Sequence, residues 1–387
     1  IVTDTPVEDN PGEEEEEEEE IIPNGKKLYL STEGNNNNDG LTPATAKATF
    51  AKAVATALDG DTIIVADGLY SEAYEIKFEK LGVVVMAAEG AKPVVQLTGQ
   101  WTSIILMATT TFDGITFDGA GIAYYLLSSK GTDAGTFTFK NCEFTNWDSY
   151  WAISNQYSDN THVKSVVVDN CIFHDATGAA IHFNENGPRG AHACDNLTIT
   201  NSTFYNLSVV EWVGIIQLDG NTGAKQPNNL TLDHITMYNY KTSELGGIVS
   251  DVKTNLTLTN SIIANPANVT QRYGYAYGTS TIDHNLLFNV TKDSGTHTNE
   301  IAGDPMFVFP DGGNFNLRPG SPALNAAADG KHLGDTRWGE AELVAVTGVE
   351  LKPNAIHTFT TDTTKIEVVI LPVEATNRNV TWVVANP

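Results

Sequence analysis

The chain has 387 residues and is strongly acidic, because 48 Asp and Glu residues against 22 Lys and Arg give a formal net charge of −26. A surface with this charge repels nucleic acid and anionic lipid headgroups, so neither is expected as a partner. The hydrophobic fraction of 41% can build a sizeable core, and no apolar run approaches the roughly 18–20 residues of a membrane span.

The first segment, residues 1–25, is dominated by the unbroken acidic run Glu13–Glu20. Adjacent like charges repel and cannot bury apolar area, which predicts a disordered tether. The run resembles the export tethers of Bacteroidetes-type surface lipoproteins, although the lipid-bearing Cys of that group is missing. Because the chain starts at Ile1 without Met or signal peptide, we expect a trimmed product of a longer protein. We expect that protein to be extracellular or exposed on the outer cell surface, and its full-length chain could carry a lipid anchor.

The next segment, residues 28–70, reads as a short strand, a Gly/Asn turn, a helix and a returning strand. The helix is predicted over 47–58, with Phe50, Ala53, Val54 and Ala57 on one face. One amphipathic helix ahead of many strands indicates a cap over a sheet edge that would otherwise invite aggregation.

From residue 111 onward one phrase recurs, as in "TFTFKNCEFTN" (136–146), "SVVVDNCIFHD" (165–175) and "NLTITNSTFYN" (196–206). Each copy alternates apolar and polar residues, turns at Asn, Asp or His, and adds a short apolar strand. A unit with one buried face cannot stand alone, so the copies must stack. Counted from Asn141, the equivalent turn positions are Asn170, Asn201, His234, Asn260 and His284.

The steps between these positions, 24–33 residues, fit one coil of a right-handed parallel β-helix. We therefore predict an all-β fold, with the β-helix over 26–338 and an N-terminal helical cap. Cys142 and Cys171 hold the same place in two copies. With Cys194 they are predicted to be buried thiols rather than a disulfide framework or a zinc site.

Two stretches carry a family resemblance. "LYLSTEGNNNNDGLTPATAKATF" with "DGDTIIVADGLY" resembles the N-terminal cap of secreted β-helix proteins, the pectate-lyase-like group that includes pectate, alginate and chondroitin lyases, some glycosidases and glycan-associated proteins. "DPMFV" with "NFNLRPGSPALNAA" resembles the closing coils of the same group. The resemblance implies the fold and an extracellular location, and it leaves the activity open because this cap occurs with many chemistries.

Residues 344–387 change character. "VTGVELKP" and "ATNRNVTW" resemble the start of a bacterial group-2 Ig-like domain, which implies a partial β-sandwich at the C-terminus. The later strands of that domain are absent from the sequence. We therefore expect further modules to follow in the natural protein.

The second strand of each coil aligns on a buried residue, namely Ile153, Ile181, Ile216 and Ile248. Strand alternation then sends the following residue outward. This predicts one outward column of Ser154, His182, Gln217 and Val249, and a second of Gln156, Asn184, Asp219 and Asp251, with Lys253 beyond. Such columns are either a site or the ordinary solvated exterior of a β-helix.

Cleavage of a uronate polymer by β-elimination needs a base for the C5 proton and a cation to neutralise the carboxylate. Lys253 or His182 could be the base, and Arg272 could pair with the uronate. The carboxylates of Asp219 and Asp251 are expected on adjacent coils, where they would couple with each other or share a Ca²⁺ ion together with Asn184. These residues are the catalytic and metal-binding candidates.

The stretch from Lys253 to Arg272 resembles the Lys and Arg pair of the chondroitin and alginate lyases. The glutamates that bind calcium just before that lysine are replaced here by Gly246 and Ile248. The adjacent-aspartate calcium motif of the pectate lyases is also missing. The missing glutamates favour a protein that binds a glycan without cleaving it, whereas the patch of Asp219, Asp251 and Lys253 favours an enzyme.

Aromatic residues give an independent signal, because large rings in loops are costly to expose without a partner. Sugar rings stack on such rings through uncharged C–H groups, which suits a neutral or weakly acidic glycan. The alternative is that these loops pack down on the β-helix. The predicted substrate-binding residues are Trp147, Tyr150, Trp151, Trp212, Gln217, Tyr273 and Tyr275.

The sequence therefore predicts an extracellular, monomeric protein that acts on a cell-wall or host polysaccharide, in the manner of a lyase or a glycosidase. The competing hypothesis is a non-catalytic glycan-binding or adhesin module. Ca²⁺ is the one cofactor that the candidate residues suggest.

Overall fold

A computed structural model describes residues 25–155, 160–184, 187–188, 190–209, 213–221, 223–242, 247–250, 253–267, 274–276, 279–291, 296–342, 344–352, 366–372, 375 and 380, with the backbone alone for 274–276. The chain winds as a parallel β-helix, as predicted from the repeat. Each full coil contributes three short strands, and each strand pairs in parallel with its counterpart in the next coil.

The strands form three parallel sheets. Two long strands, Cys194–Ser208 and Asn228–Lys241, bend around a corner and so belong to both sheet 1 and sheet 2. The other strands of sheet 1 are Lys27–Leu30, Thr62–Val65, Val83–Ala87, Thr110–Asp113, Thr136–Lys140, Val163–Asp169, Thr254–Thr259, Ser280–Asp283 and His297–Thr298. The other strands of sheet 2 are Leu69–Glu72, Val94–Leu97, Thr116–Asp118, Glu143–Thr145, Ile172–Ala176, Ile262–Ala264, Leu286–Phe288 and Ile301–Ala302. Sheet 3 comprises Ile76–Phe78, Ile104–Leu106, Tyr125–Ser129, Trp151–Ser154, Ala179–Phe183, Ile216–Leu218, Ile248–Ser250 and Gly274–Ala276.

The corner between sheets 1 and 2 is made by the repeated Asn and His residues. All six predicted positions, from Asn141 to His284, have a positive φ between 45° and 55°. Asn tolerates this left-handed backbone better than most residues with a side chain. The side chains also hydrogen-bond from coil to coil, as when Asn170 Nδ2 donates to Asn141 Oδ1 at 2.5 Å.

A second left-handed corner follows sheet 2, which the sequence reading did not assign. It has a positive φ at Ala120, Asn146, Asp175, Asn206, Asn239, Asn265 and Asn289. Here Asn239 Nδ2 donates to Asn206 Oδ1 at 2.6 Å, and Asn289 Nδ2 donates to Asn265 Oδ1 at 2.7 Å. The last Asn or Asp of each repeated phrase is therefore a corner too.

The predicted helical cap is confirmed. The helix Phe50–Thr56 is preceded by Thr49, whose side chain accepts the Lys52 N–H, and by the 3-10 helix Pro43–Thr45. Phe50, Ala53 and Val54 are buried on the side of the helix that closes the first coils.

The core fills the interior of the coils with stacked side chains. Phe112 stacks on Phe139 with ring centroids 5.6 Å apart, and Phe144 stacks on Phe173 at 4.3 Å. The three cysteines are free and buried, as predicted. Within the part of the chain that the structure describes, no helix is both long and apolar enough to cross a bilayer.

The stretch expected to supply closing coils folds differently. The last coil strands end at Ala302, and the chain then turns back along the outer face of sheet 2 as an antiparallel hairpin, Phe307–Phe309 with Asn314–Leu317, joined by the 3-10 helix Pro310–Gly312. A separate small core results, in which Phe307 and Phe315 pack against Ile262 and Leu286. We call residues 303–341 the C-terminal arm.

Polar contacts bind the C-terminal arm to the coils. Thr203 Oγ1 donates to the buried carboxylate of Asp335 at 2.7 Å, and the Trp338 Nε1–H donates to Thr203 Oγ1 at 2.8 Å. The Arg337 guanidinium donates to Asn170 Oδ1. The expectation of closing coils is therefore wrong: the arm forms an antiparallel hairpin outside the coils, and it is held there by contacts with Thr203 of sheet 2 and with the corner residue Asn170.

Of residues 344–387, which the sequence predicts to be Ig-like, the structure describes one antiparallel pair, Gly348–Lys352 with Glu367–Leu371. The partial β-sandwich stays a prediction, since most of its remaining residues lie outside the described ones. The acidic run Glu13–Glu20 also lies outside them.

The left-handed corner gives a stability prediction. Asn141→Val should lower the free energy of unfolding by about 3 kcal/mol, since it places a β-branched residue at φ 53° and removes the hydrogen bonds with Asp113 and Asn170. Asn141→Gly keeps the backbone conformation accessible and should cost about half as much. Urea unfolding measures both, and equal losses would show that the backbone conformation contributes nothing.

Candidate functional site

The outer face of sheet 3 has the register that the sequence predicts. Ser154 pairs with His182, His182 with Gln217, and Gln217 with Val249. The residue before each of these also pairs with its counterpart in the next coil, and these residues point into the core. They are Ile153, Ile181, Ile216 and Ile248. The outward column is nevertheless buried, with His182 only 4% exposed.

His182, Asp219 and Gln217 form one hydrogen-bonded network at the outer face. His182 Nε2 lies 3.1 Å from Asp219 Oδ2, and Gln217 Nε2 donates to Asp219 Oδ1 at 2.8 Å. Gln217 Oε1 in turn accepts the Gly214 backbone N–H at 2.9 Å. The amide of Gln217 therefore holds the carboxylate of Asp219 in place. The predicted contact of Gln217 with substrate stays a prediction.

Trp151 explains why His182 is buried. The two rings meet edge to face, with centroids 4.8 Å apart. The Nδ1 atom of His182 is enclosed and has no hydrogen-bond partner among the described residues. A general base needs an open lone pair within hydrogen-bond reach of the substrate proton, so this geometry does not favour the predicted role of His182 as base.

Five aromatic residues lie beside this network and form what we call the aromatic ladder: Trp101, Tyr124, Tyr125, Tyr150 and Trp151. Backbone hydrogen bonds from Tyr124 N to Gln100 O and from Trp151 N to Tyr124 O hold three successive coils in register. Trp101, Tyr124 and Tyr150 thus occupy the same position in each coil. Their ring centroids are 4.8 Å (Trp101 to Tyr124) and 5.0 Å (Tyr124 to Tyr150) apart.

The ladder has an exposed and a buried side. Trp101 is 62% exposed, and Tyr124 and Tyr150 are partly exposed. Tyr125 and Trp151 are buried behind them, and Tyr125 stacks on Tyr150 at 5.2 Å. The ladder is therefore an aromatic surface whose buried side continues through Trp151 to His182.

Sequence reasoning missed Trp101, Tyr124 and Tyr125. The signal was available, because Trp101, Tyr124 and Tyr150 each lie three residues before the buried residue of their strand, which is Ile104, Leu127 or Ile153. The strand alignment had only to be extended by two coils toward the N-terminus.

Two predicted substrate-binding residues are placed differently from the expectation. Trp147 and Trp151 are 1% and 2% exposed, so the expectation that both indoles lie open in loops is wrong. Trp147 packs against Gly178, where an added Cβ would come within 2.6 Å of Nε1. Trp151 supports the ladder from behind, and Tyr150 alone of this trio presents a partly exposed ring.

The predicted calcium ligands do not converge among the described residues. Asn184 is 5% exposed, and its Oδ1 accepts a hydrogen bond from Asn155 Nδ2 at 2.7 Å. Both oxygens of Asp219 accept hydrogen bonds from its neighbours. Within the described ranges no group of three or more His, Cys, Asp or Glu side chains could hold a metal ion. Asp251 lies outside these ranges, so the Ca²⁺ prediction stays open.

Several other candidates also lie outside the described residues, namely Gln156, Trp212, Arg272 and Tyr273. Tyr275 pairs with Val249 through its backbone, and its side chain is not described. Lys253 lies against Gly220, where an added Cβ would come within 2.6 Å of Lys253 Cβ, and it makes no ion pair with Asp219. The roles proposed for Lys253 and Arg272 remain predictions.

A second polar cluster lies on the outer face of sheet 2. His174 Nε2 lies 2.8 Å from Glu143 Oε1, its Nδ1 lies 2.7 Å from Asp175 Oδ2, and its ring stacks on Tyr205. Burial lowers the pKa of His174, and the hydrogen bonds to the two carboxylates raise it by more, so the pKa lies above its ordinary value. The hydrogen bond with His174 lowers the pKa of Glu143. Both nitrogens are satisfied, which indicates a stabilising cluster.

No protein-family model matches the chain, and no curated protein matches it either. Among solved structures, the chain is similar to the PL6-family alginate lyase AlyGC, with 15% identity and a TM-score of 0.45 over 73% of this chain, and it spans only 39% of that chain. It is similar to the pectate lyase Pel9A, with 14% identity, a TM-score of 0.37, and coverage of 80% of this chain and 96% of the lyase. A third similar structure is the GH136 lacto-N-biosidase from Eubacterium ramulus, with 10% identity, a TM-score of 0.33, and coverage of 74% and 68%.

The His174 cluster predicts a pH-dependent contribution to stability. Because the pKa of His174 is raised, the protonated ring stabilises the folded state. This contribution to stability is complete below about pH 6.5 and is lost as the pH rises through the pKa that His174 has in the folded protein. Because the pKa of Glu143 is lowered, its carboxylate makes a second contribution to stability. This contribution is present above about pH 4.3 and is lost as the pH falls. The two contributions overlap near pH 5–6.

His174→Gln should therefore lower Tm most near pH 5.5, by about 2–4 °C, and distinctly less at pH 9. Differential scanning calorimetry of the parent and the variant at both pH values measures this difference. A loss of Tm that is the same at both would show that the imidazolium charge is not what stabilises the cluster.

Proposed function

We propose that this protein binds a polysaccharide along the aromatic ladder of sheet 3. The observation that carries the proposal is the repeat of Trp101, Tyr124 and Tyr150 at one position in three successive coils, with Trp101 62% exposed. An exposed aromatic surface of this kind marks an interaction site more often than it does ordinary exterior. Sugar rings fit it, because they present an apolar C–H face to an aromatic ring and hydroxyls to the polar surroundings.

The backbone makes the ladder a preorganised surface. Strand pairing spaces successive coils by about 4.8 Å, so the rings of Trp101, Tyr124 and Tyr150 follow the axis of the β-helix. Tyr125 and Trp151 hold them from behind, and Gln100 Nε2 donates to the Tyr124 hydroxyl. Little side-chain freedom remains to be lost on binding, which favours affinity. A polymer that lies parallel to the axis would contact all three rings.

Turnover of the bound polymer is the second candidate function. The observation in its favour is the carboxylate of Asp219, 20% exposed and linked through His182 to the end of the ladder. Hydrolysis or β-elimination needs a second group that reaches the reacting bond. The candidates for it are Lys253, Asp251 and Arg272. Binding has the stronger support, since His182 is enclosed and both oxygens of Asp219 already accept hydrogen bonds.

We also propose that the protein works outside the cell as a monomer, attached through its acidic N-terminal segment, with a lipid anchor as an option in the full-length chain. Extended structural polysaccharides are found outside cells, and the sequence resemblance implies the same location. Neither nucleic acid nor a membrane surface suits a chain with a formal net charge of −26.

The ladder predicts a loss of affinity on truncation of its most exposed ring. Trp101→Ala should weaken binding to a recognised polysaccharide at least tenfold, because it removes the largest exposed ring contact. Affinity electrophoresis against pectin, alginate, chondroitin and neutral plant glycans identifies the ligand. Isothermal titration with an oligosaccharide of that ligand gives the change in Kd.

Leu58→Ala is the matched control, since Leu58 is similarly exposed, at 58%, but lies at the end of the helical cap. It should leave Kd unchanged. An equal Kd for the parent and for Trp101→Ala would show that the ladder is not the binding site. The same samples assayed for new reducing ends and for the ultraviolet absorbance of unsaturated products decide between binding and turnover.

A further inference from the structure

We infer that the free edge of sheet 3 binds Ile21 and Ile22 of the chain's own N-terminal segment as an added parallel strand. The inference goes beyond the proposed function and does not depend on it. Sheet 3 begins with the strand Ile76–Phe78, which pairs on one side with Ile104–Leu106 and on the other side with no strand among the described residues. An unpaired edge is a template for a further strand, and native proteins cover such edges.

The N-terminal cap covers the first strands of the other two sheets. Beside the first strand of sheet 1, the Lys47 N–H donates to Tyr29 O at 2.8 Å, and the Ser31 N–H donates to Lys47 O at 3.0 Å. At the first strand of sheet 2, the Glu72 side chain accepts the Ala51 N–H of the helix at 3.0 Å. Within the described ranges, the first strand of sheet 3 has no backbone hydrogen bond to the cap.

The open edge presents the backbone groups of Lys77. The Ile76 N–H donates to Ser103 O at 3.2 Å, and Phe78 O accepts the Met107 N–H at 2.9 Å, so Ile76 and Phe78 bond toward the neighbouring strand. Adjacent residues of a strand direct their backbone groups to opposite edges, so the N–H and C=O of Lys77 point away from that neighbour. One donor and one acceptor are therefore available to an added strand.

A groove of about 510 Å³ lies between this strand and the helix of the cap. The rim of the groove carries charged side chains, and Leu81, which follows the rim residue Lys80, is 48% exposed. Successive side chains of a strand point to opposite faces, so one of two adjacent isoleucines faces the groove in either register. The apolar walls that would receive it are Val54, Ala57, Ile76, Phe78 and Val83.

The described chain begins next to this groove. The Lys26 N–H donates to Asp61 Oδ1 at 2.7 Å, and the Gly60 N–H donates to Leu81 O at 2.8 Å. The chain therefore enters beside the residues that follow Ile76–Phe78. A segment that leads to this point along the open edge runs in the same direction as Ile76–Phe78, which makes the pair parallel, like the other pairs of sheet 3.

The spacing of the sequence supports Ile21 and Ile22 as the occupant. Four residues separate Phe78 from the next strand of sheet 1, and four residues likewise separate Ile22 from the first strand of sheet 1. A strand that ends at Ile22 thus has the place in a preceding coil that Phe78 has in its own. Pro23 falls in the connection, where no N–H is needed for strand pairing.

Hydrogen exchange at the Lys77 amide, measured by mass spectrometry on the full chain, tests the inference. The amide should be protected in the parent. In the double variant Ile21→Asp with Ile22→Asp it should exchange at least tenfold faster, because a carboxylate enters an apolar groove only with loss of its hydration. The matched control is Ile1→Asp with Val2→Asp, which puts two carboxylates into the same segment and should leave the exchange rate unchanged. Neither variant alters the residues beside Lys77.

A Lys77 amide that exchanges in the parent as fast as one in an unstructured peptide overturns the inference. Protection that persists in Ile21→Asp with Ile22→Asp also overturns it. If that protection increases with protein concentration, the edge is covered by a second copy of the chain, and if it does not, another segment of the same chain covers it. Polysaccharide binding on the aromatic ladder stands in each case, because that proposal rests on other residues.

Discussion

The left-handed Asn and His corners are the constraint on which the rest of the structure depends. Each corner turns the chain with a positive φ at a residue that tolerates it. The Asn side chains at these corners hydrogen-bond to the preceding coil, as Asn170 does to Asn141 and Asn201 does to Asp169. Coils whose corners are stacked in this way have every other position in register as well. Three aromatic residues separated by 23 and 26 positions in the sequence, Trp101, Tyr124 and Tyr150, become neighbours for this reason.

Much of the fold could be predicted because the repeated phrase indicates the buried face, the corners and the stacking of the coils. The alternation fixes the buried face, the Asn positions fix the corners, and the amphipathic helix Phe50–Thr56 identifies the cap. The course of the C-terminal arm could not be predicted in this way. It depends on contacts such as Thr203 with Asp335, which join residues 132 positions apart and leave no periodic trace.

The site was predicted in part. The register of His182 and Gln217 is as expected, since a one-residue slip would move an entire strand from core to exterior. Their burial was not foreseen, because strand alternation says which way a residue points but not what covers it. The ring of Trp151 covers His182, and the indole of Trp147 fills the space that Gly178 leaves. Such packing depends on the size of particular side chains in neighbouring coils.

The combination of a rigid aromatic surface with a fixed carboxylate suits recognition of a polymer more than its cleavage. The rings provide contact area with little loss of side-chain freedom, and the network of Gln217 and His182 holds Asp219 in one orientation. The backbone of the β-helix spaces the three rings one coil apart, so the proposed polymer would contact them in succession. In the proposed function, the repeated coil supplies the spacing, and a few residues that differ from the common pattern supply the contacts with the ligand.

The most direct measurement is a crystal structure of the protein in complex with an oligosaccharide. The oligosaccharide is taken from the polysaccharide that the protein binds in affinity electrophoresis. We expect electron density for sugar rings stacked on Trp101, Tyr124 and Tyr150, with the chain parallel to the axis of the β-helix. Density for the oligosaccharide on another face, with these three rings open to solvent, would contradict the account.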